Sequence, residues 1–429
     1  MNDINVNALI SYDNIKIIAV AEKNNNIINI HEESISSNNS LSKRDIKVSI
    51  KKAINAIEEK LSKKINSINI IFDDFMKSSE HLKFSTKIVE EKIEFSNNKF
   101  LSINDCNKII DDMYEKSKNA EVDKKLISIT PFKFIYVEDV ETFEKESPSF
   151  PVDKRIKKLK VLFSIRYMDK SSYLASIDLF DLLNIKIKDI ILDSQIAIYD
   201  NNENAILNSD NETSFTLAIE NNKTMLITSV NNIVIKTDNL NFSFSNLIKK
   251  IAYDFGISTY EAKKIINCYG KLNDNGDNNK EIIYFSHSSN GEISKSIKVL
   301  DVINITKSFL KSICIQANDL IKSRINKSNL FSSVELKFVG QLSKINNVTN
   351  YCSKYFEKVK IALDNKNESI YEWNKPFMSI RNYLIYTKVL NNLKSESFYY
   401  NSNYVNNNYK RDHLFVESTT KQSSSLLLV

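Results

Sequence analysis

Glycine is nearly absent from this chain of 429 residues, which has only Gly256, Gly270, Gly276, Gly291 and Gly340. A soluble protein carries about 7% glycine, or roughly thirty in this length. Glycine lets a backbone approach a phosphate closely and take a positive φ without steric cost. Cradles that hold phosphate on backbone N–H groups use several glycines together. No two here lie closer than Gly270 and Gly276, so the usual glycine-rich nucleotide loops are excluded. There is no Walker A motif, no GxGxxG and no GxSxG.

Other scarcities narrow the field further. Four cysteines, Cys106, Cys268, Cys314 and Cys352, lie far apart and form no CxxC, which argues against a disulfide framework or a zinc site and suits a reducing cytosol. Four histidines, His31, His81, His287 and His413, lack a second ligand at helical spacing, so no metal is expected. No apolar run approaches the roughly 18 residues of a membrane-spanning helix. The start MNDINVNALI carries no basic region before its apolar stretch, so a signal peptide is not expected either. The expected location is cytoplasmic.

What is present is the composition of a folded protein, with 42% hydrophobic and 26% charged residues. Basic and acidic residues, 59 and 53, are mixed along the chain for a net charge of +6. A nucleic-acid partner is not expected from so even a mixture. The densest basic run, Lys154, Arg155, Lys157, Lys158 and Lys160, reads as a solvated loop leading into a strand. Adjacent carboxylates, Asp73/Asp74 and Asp111/Asp112, point different ways on a regular element and read as surface.

The order of elements can be followed from periodicity. Residues 7–35 read as strand, turn, strand, with Asn24, Asn25 and Asn26 at the turn. Residues 44–65 are an amphipathic helix, and SINIIF (67–72) is a buried strand. Residues 80–165 form an α+β insertion whose helix is capped by Asn104 and whose strand pair is interrupted at Pro131. Residues 171–183 and 185–192 are helix then strand, and 213–238 holds three short strands. Two helices follow, the first ending at Gly256 and the second starting at Ser258 or Thr259. Residues 298–325 are a long helix, VELKFVG is a strand, and a helix begins at Val348. Beyond about residue 393 the chain is polar and rich in Asn and Ser.

This order resembles the actin-like fold, an α/β fold of two lobes shared by the actin/Hsp70 superfamily, here with an inserted α+β subdomain of the 1C type. Within that fold the block NLIKKIAYDFGISTYEAKKIINCYG (246–270) resembles FtsA, a family of bacterial cell division proteins. Ile251, Ala252, Phe255, Gly256, Ala262, Ile265, Tyr269 and Gly270 match the family frame ITxDIAxxFG…AExIKxxYG. ISYDNIKIIAVAE (10–22) looks like the family's first phosphate hairpin, and IILDSQIAIY (190–199) like its strand–helix junction. WNKPFMSIRNYLIY (373–386) sits where the family closes with a proline and a last helix. The expected domains are lobe I at 1–80, the 1C-type insertion at 81–165, and lobe II beginning at 166–244. A 2B-type subdomain at 245–305, the rest of lobe II with the closing helix at 306–392, and a flexible tail at 393–429 complete the chain.

The departures from the family fall on the nucleotide site. At the first loop Ser11 stands for the family's Asp, Asp13 for its Gly and Asn14 for its Thr; a carboxylate at Asp13 repels phosphate. The second loop is expected at Asn208–Thr216, without glycine, where Asp210 or Glu212 is the residual acid. The later Gly-Gly pair falls near Ser243 and Phe244, the AExIK acid and lysine become Lys263 and Ile266, and the adenosine motif becomes Phe338, Val339 and Gly340. Gly340 and Asp210 are therefore the remnants of a degenerate nucleotide site. The expectation is no ATP hydrolysis, no required cofactor and no metal. The resemblance implies a scaffold at the division septum whose partner is the acidic C-terminal tail of FtsZ, held by Lys249, Lys250, Lys307 and Lys311. It also implies self-association into filaments. A weak peripheral membrane contact through the tail, with its Tyr404, Tyr409, Lys410 and Arg411, goes with it. An active ATP-binding filament protein, or a lineage-specific structural protein of the same fold, is the alternative.

Overall fold

The computed structural model describes residues 4–11, 14–23, 26–36, 43–73, 84–138, 143–147, 150–181, 185–199, 213–269, 272, 281–288, 291–325, 334–341, 345, 347–356, 359–361, 379–380 and 383–384. The chain divides into two units, Met1–Tyr199 with Lys375–Val429, and Asp200–Asn374.

The first unit opens with β1 (Ile4–Ile10), β2 (Asn14–Lys23) and β3 (Asn26–Ser36), an antiparallel meander. The run expected as one strand before Asn24 is thus two, folded back at residues 11–14. Helix α1 (Lys43–Leu61) follows, burying Ile50, Ala53, Ile54 and Ile57 at the spacing of one helix face. Strand β4 (Ser67–Phe72) is buried at every residue after Ser67 and pairs with β1 in parallel. Parallel strands covered on both faces read as such continuous apolar runs.

An insertion then leaves the sheet. It consists of β5 (Phe84–Phe100), α2 (Ile103–Ala120), β6 (Lys124–Glu138), β7 (Lys145–Ser147) and β8 (Arg155–Asp169), in a sheet of order β5-β8-β6-β7. Helix α2 covers one face of this sheet through Cys106, Ile109, Met113 and Tyr114. Its cap is Ser102 in place of Asn104. The Ser102 hydroxyl accepts from the Asp105 N–H, and the Asp105 carboxylate accepts from the Ser102 N–H at 3.0 Å, a reciprocal box that Asn104, already inside the helix, cannot form. Nor does Pro131 end its strand: β6 runs through it, and the register with β8 slips by one residue between Pro131 and Lys133. The basic run enters β8 directly, with Lys154 bonded to the Tyr136 hydroxyl at 2.6 Å, Arg155 over the Phe100 ring, and Lys158 paired with Glu94 at 3.1 Å.

The chain then returns to the first sheet with α3 (Lys170–Asp181) and β9 (Lys186–Leu192), which pairs with β4 in parallel. The sheet order is β3-β2-β1-β4-β9. The second lobe therefore begins near residue 200, not at 166, because β9 has its hydrogen-bond partner in the first sheet. The closing segment also belongs with the first unit, where the Tyr383 hydroxyl donates to the Asp189 carboxylate of β9.

A short α4 (Asp193–Ile196) ends this unit. The second repeats the plan. Strands β10 (Thr213–Ile219), β11 (Thr224–Val230) and β12 (Ile233–Leu240) form a meander. Helices α5 (Phe244–Phe255) and α6 (Thr259–Tyr269), the hairpin β13 (Glu281–Ser288) and β14 (Gly291–Lys298), and α7 (Val299–Ile325) follow. Then β15 (Val334–Gly340), α8 (Val348–Ser353) and β16 (Lys360–Ile361) complete a sheet of order β12-β11-β10-β15-β16. Gly256 ends α5 at φ +61, donating its N–H back to the Ala252 and Tyr253 carbonyls. Two lobes, each a three-strand meander followed by two parallel crossovers in the order 3-2-1-4-5, make this the actin-like fold.

Candidate functional site

Ligands of open α/β sheets bind beyond the carboxyl ends of the strands. In the first lobe those ends are set by one hairpin and one crossover strand. Ile10 pairs with Ile15, and the turn between them closes through the Ser11 N–H to the Asn14 carbonyl at 2.8 Å. Asp73, just past β4, donates its N–H to the Ile10 carbonyl at 2.9 Å, and the Ser11 hydroxyl lies 3.4 Å from the Asp73 carboxylate.

The second lobe reproduces this frame bond for bond. Ile219 pairs with Thr224, the Glu220 N–H meets the Lys223 carbonyl at 2.9 Å, and the Gln341 N–H meets the Ile219 carbonyl at 2.9 Å. Glu220 is thus the counterpart of Ser11, Lys223 of Asn14, Gly340 of Phe72, and Gln341 of Asp73. This equivalence moves the second loop. The expected address at Asn208–Thr216 is wrong because Thr213–Thr216 are already inside β10; the turn is Glu220–Lys223. Asp210 and Glu212 precede the strand and, like Asp13, lie outside the described residues. The signal that could have found the turn is Asn221-Asn222 between the apolar runs FTLAI and TMLIT.

At its new address the loop still contains no glycine. The N–H donors at the start of α5 beside it are also used. The Phe244 N–H donates to the Glu220 carbonyl at 2.9 Å, the Ser245 N–H to the Asn221 carbonyl at 2.8 Å, and the Asn246 N–H to the Ser243 hydroxyl at 3.2 Å. These N–H groups at the start of α5 are the ones that would otherwise face an anion. Ser243 is the helix cap and Phe244 a core residue, so the Gly-Gly position has become a helix start. Glu220 adds a carboxylate only 6% exposed.

Gly340 survives for a reason that involves no ligand. Its φ is +91°, and a Cβ there would stand 2.6 Å from the Ile219 carbonyl oxygen and 3.1 Å from a Glu220 carboxylate oxygen. The close approach of two strand ends demands the glycine. Of the motif positions on α6, Ile266 is in the core and Lys263 is exposed. Among the described residues, the second-lobe turn and the start of α5 form no glycine-rich phosphate cradle.

Among the described residues two acids of the first lobe are buried: Asp73, which was expected at the surface, and Asp193, which sequence reasoning missed. Asp73 is buried where β4 ends, while its neighbour Asp74 lies outside the described residues. Asp193, Ser194 and Gln195 are buried where β9 ends, and the Gln195 side chain accepts the Leu192 N–H at 2.7 Å. Their signal is position: each polar residue directly follows an apolar strand. Among the described residues no three His, Cys, Asp or Glu are grouped to hold a metal.

The four lysines expected to bind a partner fall as two pairs on two helices. Lys249 and Lys250 lie on the exposed side of α5, and Lys250 pairs with Asp254 at 3.0 Å. Lys307 and Lys311 are one turn apart on α7. The Lys307 ammonium lies 6.0 Å from the centre of the Tyr351 ring, and Lys354 lies 3.9 Å from the same ring. Sequence reasoning missed Tyr351, Tyr355 and Lys354, which α8 brings beside Lys307; the Tyr351 hydroxyl donates to the Lys307 carbonyl at 3.0 Å.

No protein-family model and no curated protein matches the chain. Solved structures do resemble it. A protein of the PilM–PilN type IV pilus biogenesis complex is 9% identical, with 89% of this chain and 95% of that one covered at a TM-score of 0.47. MreB5 of Spiroplasma citri bound to ADP is 10% identical, with 91% and 98% covered at 0.45. EutJ from Carboxydothermus hydrogenoformans is 6% identical, with 85% and 86% covered at 0.40. These likenesses assign no function. The fold rests on the two matching strand orders.

Proposed function

We propose that this chain is a nucleotide-independent scaffold of the actin-like fold that holds the acidic C-terminal tail of FtsZ at the division site. The observation that carries the nucleotide-independent half is the second-lobe turn: glycine-free, with the first N–H groups of α5 bonded to its own carbonyls. A phosphate arriving there would have to displace those bonds and meet the Glu220 carboxylate, which like charge disfavours. The partner follows from the resemblance over residues 246–270 and from the cations of α7. Lys307 and Lys311, with Lys354 beside two tyrosines, present positive charge suited to an acidic peptide. A peripheral membrane contact through the C-terminal tail and self-association into filaments belong to the same reading.

The test is binding of a fluorescent FtsZ tail peptide to the full chain, with and without ATP and Mg²⁺. Saturable binding is expected that nucleotide leaves unchanged and that Lys307→Glu with Lys311→Glu weakens by about tenfold. Isothermal titration with ATP and Mg²⁺ is expected to give no saturable heat. Micromolar ATP affinity would favour the ATP-binding filament protein instead, and absence of tail binding would remove FtsZ.

A further inference from the structure

The positive charge of this chain is concentrated in one stretch. Residues 43–66 hold eight basic residues against three acids, a net of +5, where the whole chain has +6. Most of this stretch is α1. Ile46, Ile50, Ala53, Ile54 and Ile57 turn one face of the helix into the core of the first lobe. Arg44, Val48, Lys51, Lys52 and Asn55 repeat the same spacing two residues earlier, which places them on the opposite face, and all five are exposed.

No carboxylate shares that outward face between Arg44 and Asn55. Asp45 lies to its side in the first turn, where negative charge suits a helix N-terminus. The Glu58 carboxylate accepts the Ile65 N–H at 2.7 Å, and Glu59 comes a turn past Asn55. Helix α3 extends the face sideways. Its Asp178 pairs with Lys47 of α1 at 2.9 Å, and one and two turns before Asp178 stand Leu174 and Lys170, both exposed. Val48 is 46% exposed and Leu174 43%, so an apolar side chain stands among the cations of each helix. Neither helix exposes an aromatic ring: α1 has none, and Tyr173 and Phe180 of α3 are buried.

We propose that the outward face of α1, with the neighbouring turns of α3, lies against an anionic lipid bilayer. Cations spread along two adjacent helices suit a planar array of phosphates, and each lysine or arginine held near such a surface adds attraction. Val48 and Leu174 are short enough to enter the headgroup layer without unpacking the core beneath them. Single-stranded nucleic acid fits less well, because bases find no ring to stack on. This surface belongs to the folded body of the first lobe and not to the C-terminal tail, and it depends neither on FtsZ nor on the state of the nucleotide loops.

The experiment is co-sedimentation of the full chain with vesicles of phosphatidylglycerol and phosphatidylcholine, with pure phosphatidylcholine as the neutral counterpart. Binding is expected to the anionic vesicles alone and to fall as salt is raised. Lys51→Glu with Lys52→Glu should weaken it about tenfold, and Val48→Ser with Leu174→Ser about threefold. These positions are exposed, so circular dichroism is expected to show folded variants. Lys410→Glu with Arg411→Glu in the tail should leave the α1 contribution in place. Absence of vesicle binding, or wild-type binding in both α1 variants, overturns the proposal. So does retention of duplex DNA that the same variants lose while vesicles go unbound. If only the tail variant releases the vesicles, the tail contact stands and the α1 surface falls; if only the α1 variants do, the reverse holds. Binding of the FtsZ tail peptide should be the same in the wild type and the α1 variants, so failure of that partner leaves this surface intact.

Discussion

The two lobes share a strand order and a hairpin bond pattern, yet they diverge at the matched positions Phe72 and Gly340. Each closes its parallel strand against the neighbouring carbonyl, Ile10 or Ile219. In the first lobe the position is a large buried ring whose centre lies 5.7 Å from that of Phe84. In the second a single methyl group is already too much. The insertions differ too: the first lobe carries its extra subdomain after β4, the second its extra helices and hairpin after β12. The frame is therefore tolerant of what hangs from it and strict about how strand ends meet.

The sharpest way to break the comparison is to exchange demands at that matched pair. Phe72→Ala should cost about 4 kcal/mol by leaving a cavity. Gly340→Ala should cost about 3 kcal/mol from positive-φ strain and overpacking. Denaturant unfolding gives both numbers. Thiol labelling gives their place: buried Cys314 and Cys352 report the second lobe, and buried Cys106 reports the insertion. Gly340→Ala should bring labelling of Cys314 and Cys352 to lower denaturant and leave Cys106 unchanged; a shift of all three would show one cooperative unit.

A buried polar pair offers a finer version. Asn7 and Asn69 face each other across β1 and β4, with the Asn69 side-chain amide Nδ2 donating to the Asn7 side-chain oxygen Oδ1 at 2.9 Å. The matching positions in the second lobe are Thr216 and Lys337, also polar. Asn69→Leu alone should cost about 2 kcal/mol by stranding Asn7, while the double change to Leu and Val should recover most of it. Equal losses in the single and double variants would mean that packing, not the hydrogen bond, sets the cost.

The smallest effect is expected at high pH. Burial pushes the Cys106 thiol up to about 12 from an ordinary value of 9.0. A raised value favours the neutral thiol in the folded chain, so its contribution is intact below pH 9 and is lost as pH rises toward 12. Cys106→Ala should flatten the alkaline limb of the stability curve relative to the wild type, as read by urea midpoints between pH 8 and about 11. An unchanged slope would remove Cys106 from the alkaline response.

Local pattern made several elements legible. SINIIF is β4 residue for residue, and Gly256 ends α5, because an unbroken apolar run and a glycine after a helical repeat each carry their own physical cause. Asn104 and Ser102 are both good caps by type, and only side-chain geometry chose Ser102. The Lys307 surface was half legible, since the helical spacing of Lys307 and Lys311 is local while Tyr351 and Lys354 arrive from α8.

The sequence by itself determined that no glycine-rich cradle exists anywhere in this chain, because residue type is not altered by folding. Only the tertiary structure decided where that absence counts. Matching Glu220–Lys223 to Ser11–Asn14 depends on strand pairing between residues distant in sequence, and register across a sheet is fixed by partners rather than by local preference. The same pairing explains the glycine kept at the end of β15, Gly340, whose neighbour in space is Ile219.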